Sequence, residues 1–78
     1  MSWNYRVIKR NSDGNEWYGI YEVYYDDSGR PIACTETPVN PFGETFDELA
    51  SDLQYFTAAM AEPVLDFDQF VGSPEKGL

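Results

Sequence analysis

Asn11-Ser12-Asp13-Gly14-Asn15 packs five turn formers together between two β-rich runs, and its central Asp-Gly step constrains the fold more than any other feature of the chain. Asp-Gly accepts the positive φ of a tight reversal, so the flanking segments are expected to return on each other as antiparallel neighbours. Before the turn, residues 3–10 (WNYRVIKR) alternate, with Trp3, Tyr5 and Val7 on one side and Asn4, Arg6 and Ile8 on the other. That period of two marks a half-buried strand, with its basic residues on the wet side or the end. After the turn, residues 16–25 (EWYGIYEVYY) are aromatic or β-branched almost throughout and carry apolar side chains on both faces, with Glu22 breaking one of them. Such a run belongs near the centre of a sheet.

A second turn cluster, Asp26 to Pro31, leads into a shorter strand over 32–37 (IACTET). Pro31 and Pro38 flank it and have no N–H for a ladder, which places it at an edge. The connection Pro38-Val39-Asn40-Pro41-Phe42-Gly43 is too proline-rich to be helical and carries the chain across the sheet. Thr45-Phe46-Asp47-Glu48 then fits a capping box, with Glu48 reaching back to the Thr45 amide. The acids Glu44, Asp47 and Glu48 suit the positive end of the helix dipole, each at about 0.3–1 kcal/mol. Phe46, Leu49, Leu53, Phe56 and Met60 recur at spacings of three and four, an apolar stripe expected to lie on one sheet face, and Pro63 ends the helix. Residues 64–70 read either as a fourth edge strand or as a docked extended tail. The expected fold is α+β: a three-stranded antiparallel meander with one amphipathic helix packed on one face, forming a single domain over 1–71 with a mobile tail at 72–78.

Seventy-eight residues suffice for one domain with a small core. Fourteen Asp and Glu against five Lys and Arg give a net charge of −9, and positions 11–78 hold all fourteen acids but only Arg30 and Lys76, a local balance of −12. Such a field disfavours direct contact with nucleic-acid phosphates and with anionic membranes. One cysteine, Cys34, has no intramolecular partner and no basic neighbour in sequence to activate it, and no apolar run resembles a secretory signal, so a cytoplasmic setting is expected. The chain has no histidine, which removes the commonest general base and zinc ligand. The acid pairs Asp26–Asp27 and Asp66–Asp68 read as ordinary turn acids, and no enzymatic activity, cofactor or metal is expected.

The remaining candidates are rings and acids. A lone helix covers one sheet face, so some rings among Trp17, Tyr18, Tyr21, Tyr24 and Tyr25 are expected to stay exposed on the other, as rings at protein interfaces do. Glu44, Glu48 and Asp52 fall on one helical stripe. The expected partner-binding residues are therefore Glu44, Glu48, Asp52, Trp17, Tyr21 and Tyr25.

The order strand, Asp-Gly hairpin, strand, strand, then Gly43-Glu44-Thr45-Phe46-Asp47-Glu48-Leu49 at a helix start resembles the HicB-like antitoxin family over about residues 4–61. The resemblance implies a βββα module that dimerises and sequesters a small basic RNA-cleaving toxin. The family's Pro-x-x-Pro-Gly-Cys stretch is replaced here by Pro38-Val39-Asn40-Pro41-Phe42-Gly43, and the family's C-terminal DNA-binding segment has no counterpart in these residues. Charge and rings together suggest a non-enzymatic interaction module that binds and inhibits a basic protein partner, in the manner of an antitoxin or of an inhibitor whose carboxylates imitate DNA phosphates. The alternative is an accessory subunit docking through an aromatic sheet face, and pairing of two copies through a free strand edge is a further option.

Overall fold

A computed structural model describes residues 2–70; the expected tail at 72–78 lies outside the described residues. The elements are β1 (Ser2–Ser12), β2 (Asn15–Tyr25), β3 (Pro31–Cys34), α1 (Phe46–Ala59) and β4 (Leu65–Asp66), followed by a 3-10 turn at Phe67–Gln69. The strands form one sheet in the order β3-β2-β1-β4. β1 and β2 pair antiparallel in unbroken register from Ser2 opposite Tyr25 to Ser12 opposite Asn15. Asp13 and Gly14 turn the hairpin with φ of 53° and 82°, the two positive values that a two-residue reversal requires.

β3 lies at the edge, as its prolines imply, but ends at Cys34, short of the expected 37. A register shift between Tyr24 and Tyr25 accommodates Pro31. Beyond Cys34 the chain still follows β2 through single bonds from Thr35 N to Glu22 O and from Val39 N to Ile20 O. Pro38 interrupts any continuous ladder there.

Register assigns the two sheet faces, because directly opposed residues point the same way. Trp3, Tyr5 and Val7 share one face with Tyr24, Glu22 and Ile20; Asn4, Arg6 and Ile8 share the other with Val23, Tyr21 and Gly19. The helix packs on the first face, where the Tyr5 and Phe56 rings lie 4.4 Å apart. Its apolar stripe does not pack there as expected. Phe56 and Ala59 are buried, whereas Phe46 and Met60 are 82% and 69% exposed and Leu49 and Leu53 also face solvent. The rotation of α1 is held by Asp52, whose carboxylate accepts bonds from the Tyr5 hydroxyl (3.1 Å) and the Phe42 amide (2.9 Å). Asp52, Phe56 and Ala59 thus form the sheet-facing side, which meets the apolar stripe only at Phe56 and leaves its other four members outside.

Thr45 caps α1 through its hydroxyl, which accepts from Glu48 N, but the Glu48 side chain accepts from Glu44 N at 2.9 Å instead of the Thr45 amide. The reciprocal bond is displaced by one residue.

The second face is not left open. β4 adds beside β1 in parallel, Ile8 opposite Leu65, so the sheet is mixed. Asp66 caps the following turn by accepting from Asp68 N. That turn drops Phe67 onto Tyr21, with ring centroids 5.9 Å apart, completing a core of Ile8, Tyr21, Val23 and Phe67. Two basic residues assigned to the wet side are drawn in with it. Arg6 is buried, donating from Nη1 to the Tyr25 hydroxyl (3.0 Å) and from Nη2 to the Pro63 carbonyl (2.7 Å). The Arg10 guanidinium lies 3.7 Å from the Phe67 ring centroid, a cation–π contact. No described helix is long and apolar enough to cross a membrane.

Candidate acidic groove

Between α1, β2 and the 38–43 connection runs an open groove of about 920 Å³. The side of α1 that meets it bears Glu48, Ser51, Asp52 and Tyr55, successive turns of one helical stripe. Tyr5 and its cross-strand partner Glu22 form the floor, and Pro38, Val39 and Phe42 form the far wall. Asp47 completes a set of four carboxylates, and among the described residues no Lys or Arg lines the groove.

Three of these carboxylates, Asp52, Glu22 and Glu48, are oriented by hydrogen bonds. Besides Asp52, Glu22 accepts from the Tyr24 hydroxyl at 2.6 Å, and Glu48 is held over the helix start by the Glu44 amide. The phenols respond to that environment. Burial first, then the bond to Asp52 and the negative charges of Asp52 and Glu22, holds the Tyr5 pKa above its ordinary value. For Tyr24 the bond to Glu22 is the main cause of the same upward displacement. Phe42 and Tyr55 remain exposed beside the acids.

The six residues expected at an interface do not form one surface. Glu48 and Asp52 line the groove, while Glu44 stands just outside it. Tyr21 is 0% exposed and is removed from the site: the 65–70 segment covers it. Tyr25 is half-buried, its hydroxyl engaged by Arg6 and donating to Asn4 Oδ1. Trp17 is 42% exposed and lies on the Tyr21 side of the sheet, with Arg10 5.8 Å from its ring. Sequence reasoning passed over Tyr5, Glu22, Phe42, Asp47 and Tyr55. A signal was present in part: Tyr55 follows Glu48, Ser51 and Asp52 at spacings of three, one and three, and Glu22 interrupts an otherwise apolar strand face.

In each of the other acid pairs one member is tied up locally. Asp26 Oδ1 accepts from Ser28 N and Arg30 N, both at 2.9 Å, and the backbone bond from Arg30 is the chief cause of its lowered pKa. Asp66 caps the 3-10 turn. Among the described residues no three Asp, Glu or Cys side chains converge to hold a metal ion. Cys34 is half-buried, and burial pushes its thiol pKa up, away from thiolate reactivity.

In comparisons with known proteins, no family model, no curated protein and no solved structure matches this chain.

Proposed function

We propose that this chain is a non-enzymatic interaction module that binds a basic segment of a protein partner in the groove beside α1. The observation that carries the reading is the groove's lining: Glu22, Asp47, Glu48 and Asp52 with Tyr5, Phe42 and Tyr55, and no cation among them. Carboxylates held by hydrogen bonds next to open ring faces suit an Arg or Lys side chain, which pairs with the first and stacks on the second. The surrounding charge of −9 adds a long-range attraction that speeds encounter with a basic surface. Inhibition of that partner, as an antitoxin or a DNA-mimicking inhibitor achieves it, is the more specific form of the proposal.

The test begins with proteins retained by the immobilised chain from its native cells, followed by affinity measurements on the purified partner. A basic partner whose affinity falls steeply from low to physiological ionic strength supports the proposal. Asp47→Lys combined with Tyr55→Ala removes one ion pair and one ring contact at roughly 0.5–1 kcal/mol each, a loss of roughly tenfold in affinity. Both residues are exposed, so the fold should persist. An acidic or neutral partner, or an affinity indifferent to salt and to both substitutions, overturns the assignment.

A further inference from the structure

A second hollow opens on the helix side of the sheet, between the start of β1 and the end of α1. Its volume of about 550 Å³ falls within the range of about 300–1,000 Å³ of small-ligand sites. Three rings wall it. Trp3 and Tyr5, alternate residues of β1, stand at 76° to each other with centroids 5.3 Å apart, forming a corner, and Tyr55 of α1 supplies a further wall. The small side chains of Ala58 and Ala59 leave the space between the rings open. The corner is held in place, because the Tyr5 ring rests on buried Phe56 and its hydroxyl donates to Asp52. The Glu62 amide donates to the Ala59 carbonyl at 3.2 Å and sets Glu62 beside the rings. With Asp52 this makes two carboxylates, and among the described residues no Lys or Arg lines the hollow. Ring faces and negative charge together select a cation.

Which cation follows from the hydrogen bonds. Asp52 already accepts from the Tyr5 hydroxyl and the Phe42 amide, and Asn4 Oδ1 accepts from the Tyr25 hydroxyl. A primary ammonium entering with three N–H donors therefore gives up water for few open acceptors, a cost that a fully methylated ammonium, with no N–H group, avoids. We propose that this hollow binds the trimethylated ammonium head of a lysine side chain carried by a protein partner. Tyr5, Asp52 and Tyr55 line the hollow and the acidic groove alike, so the modified lysine belongs to the basic segment in the groove, and in that respect the inference rests on the groove's assignment. A choline lipid offers the same head, but it brings a phosphate toward Asp52 and Glu62 in a chain of net charge −9, which disfavours that source.

The proton signals at the head of a soluble probe read the site directly, because the ring currents of enclosing aromatic side chains shift them upfield. Acetyl-trimethyllysine amide should bind saturably. Its unmethylated counterpart, and a neutral isostere with a tert-butyl carbon in place of the nitrogen, should each bind about tenfold more weakly, the margin of one desolvated cation–ring contact. Trp3→Ala should cost a similar factor and Trp3→Phe less; Trp3 is 52% exposed, so the circular dichroism of both variants should match the parent. A peptide with arginines around the trimethyllysine should bind more tightly than either the capped residue or choline, and Asp47→Lys should remove that gain alone. An isostere or an unmethylated lysine that binds as tightly as the trimethylated probe, or binding unchanged by Trp3→Ala, overturns the site. Choline as tight as the arginine-flanked peptide overturns the assignment to a protein partner. Trp3 lines the hollow and not the groove, Asp47 the groove and not the hollow, so failure of one reading is distinguishable from failure of the other.

Discussion

Tyr21 illustrates how a side chain acquires its role from residues far along the chain. Its place in an aromatic strand made it a candidate for an exposed ring; with Phe67, forty-six positions later, packed against it in the core, it is fully buried. Enclosure leaves its hydroxyl without a hydrogen-bond partner among the described residues. A buried hydroxyl in that state costs free energy that a ring alone does not. Tyr21→Phe should therefore stabilise the chain by about 1 kcal/mol in chemical denaturation, while Tyr21→Ala should cost about 3–5 kcal/mol through the cavity it leaves. Tyr5 carries a second expectation, in pH. The folded-state pKa values of Tyr5 and Tyr24 lie above the ordinary 10.0, so the neutral phenols stabilise the fold fully below pH 10. That contribution is lost as pH rises through the folded values. Denaturation midpoints should hold steady up to about pH 10 and decline above it, and Tyr5→Phe should blunt the decline.

The helix shows what an element's own pattern leaves open. Its start was legible, because Thr45 accepts the Glu48 amide as a capping residue should. Its rotation was not. Periodicity identifies an apolar stripe but says nothing about which neighbour covers it, and the bonds of Asp52 to Tyr5 and Phe42 turned a different sector toward β1. The connection before the helix is equally constrained. A Cβ placed on Gly43 would stand 2.6 Å from the Glu48 carbonyl carbon and closer still to the Leu49 nitrogen, contacts that backbone atoms cannot relieve locally. Gly43→Ala should then cost about 1–3 kcal/mol by overpacking and push the 38–43 wall from the helix. Loss of stability by denaturation, together with weaker capture of a basic partner, would register both effects.

Over the whole molecule, charge and shape divide the surface. The groove concentrates carboxylates and rings, whereas the outer strip of α1 carries no charge and stands exposed among the described residues. Chain length and composition were enough to imply one small acidic α+β unit. The Asp13-Gly14 hairpin, the edge position of β3 and the onset of α1 were equally readable, because each depends on φ preferences, missing N–H groups or side-chain caps within a few residues. Burial of Tyr21 and Arg6, the parallel pairing of β4, and the assembly of Tyr5, Glu22, Phe42 and Tyr55 around the acids of α1 were settled only in three dimensions. Each joins segments distant in the chain, and such contacts follow from how sheet, helix and C-terminal segment compete for the same faces, which no local pattern encodes.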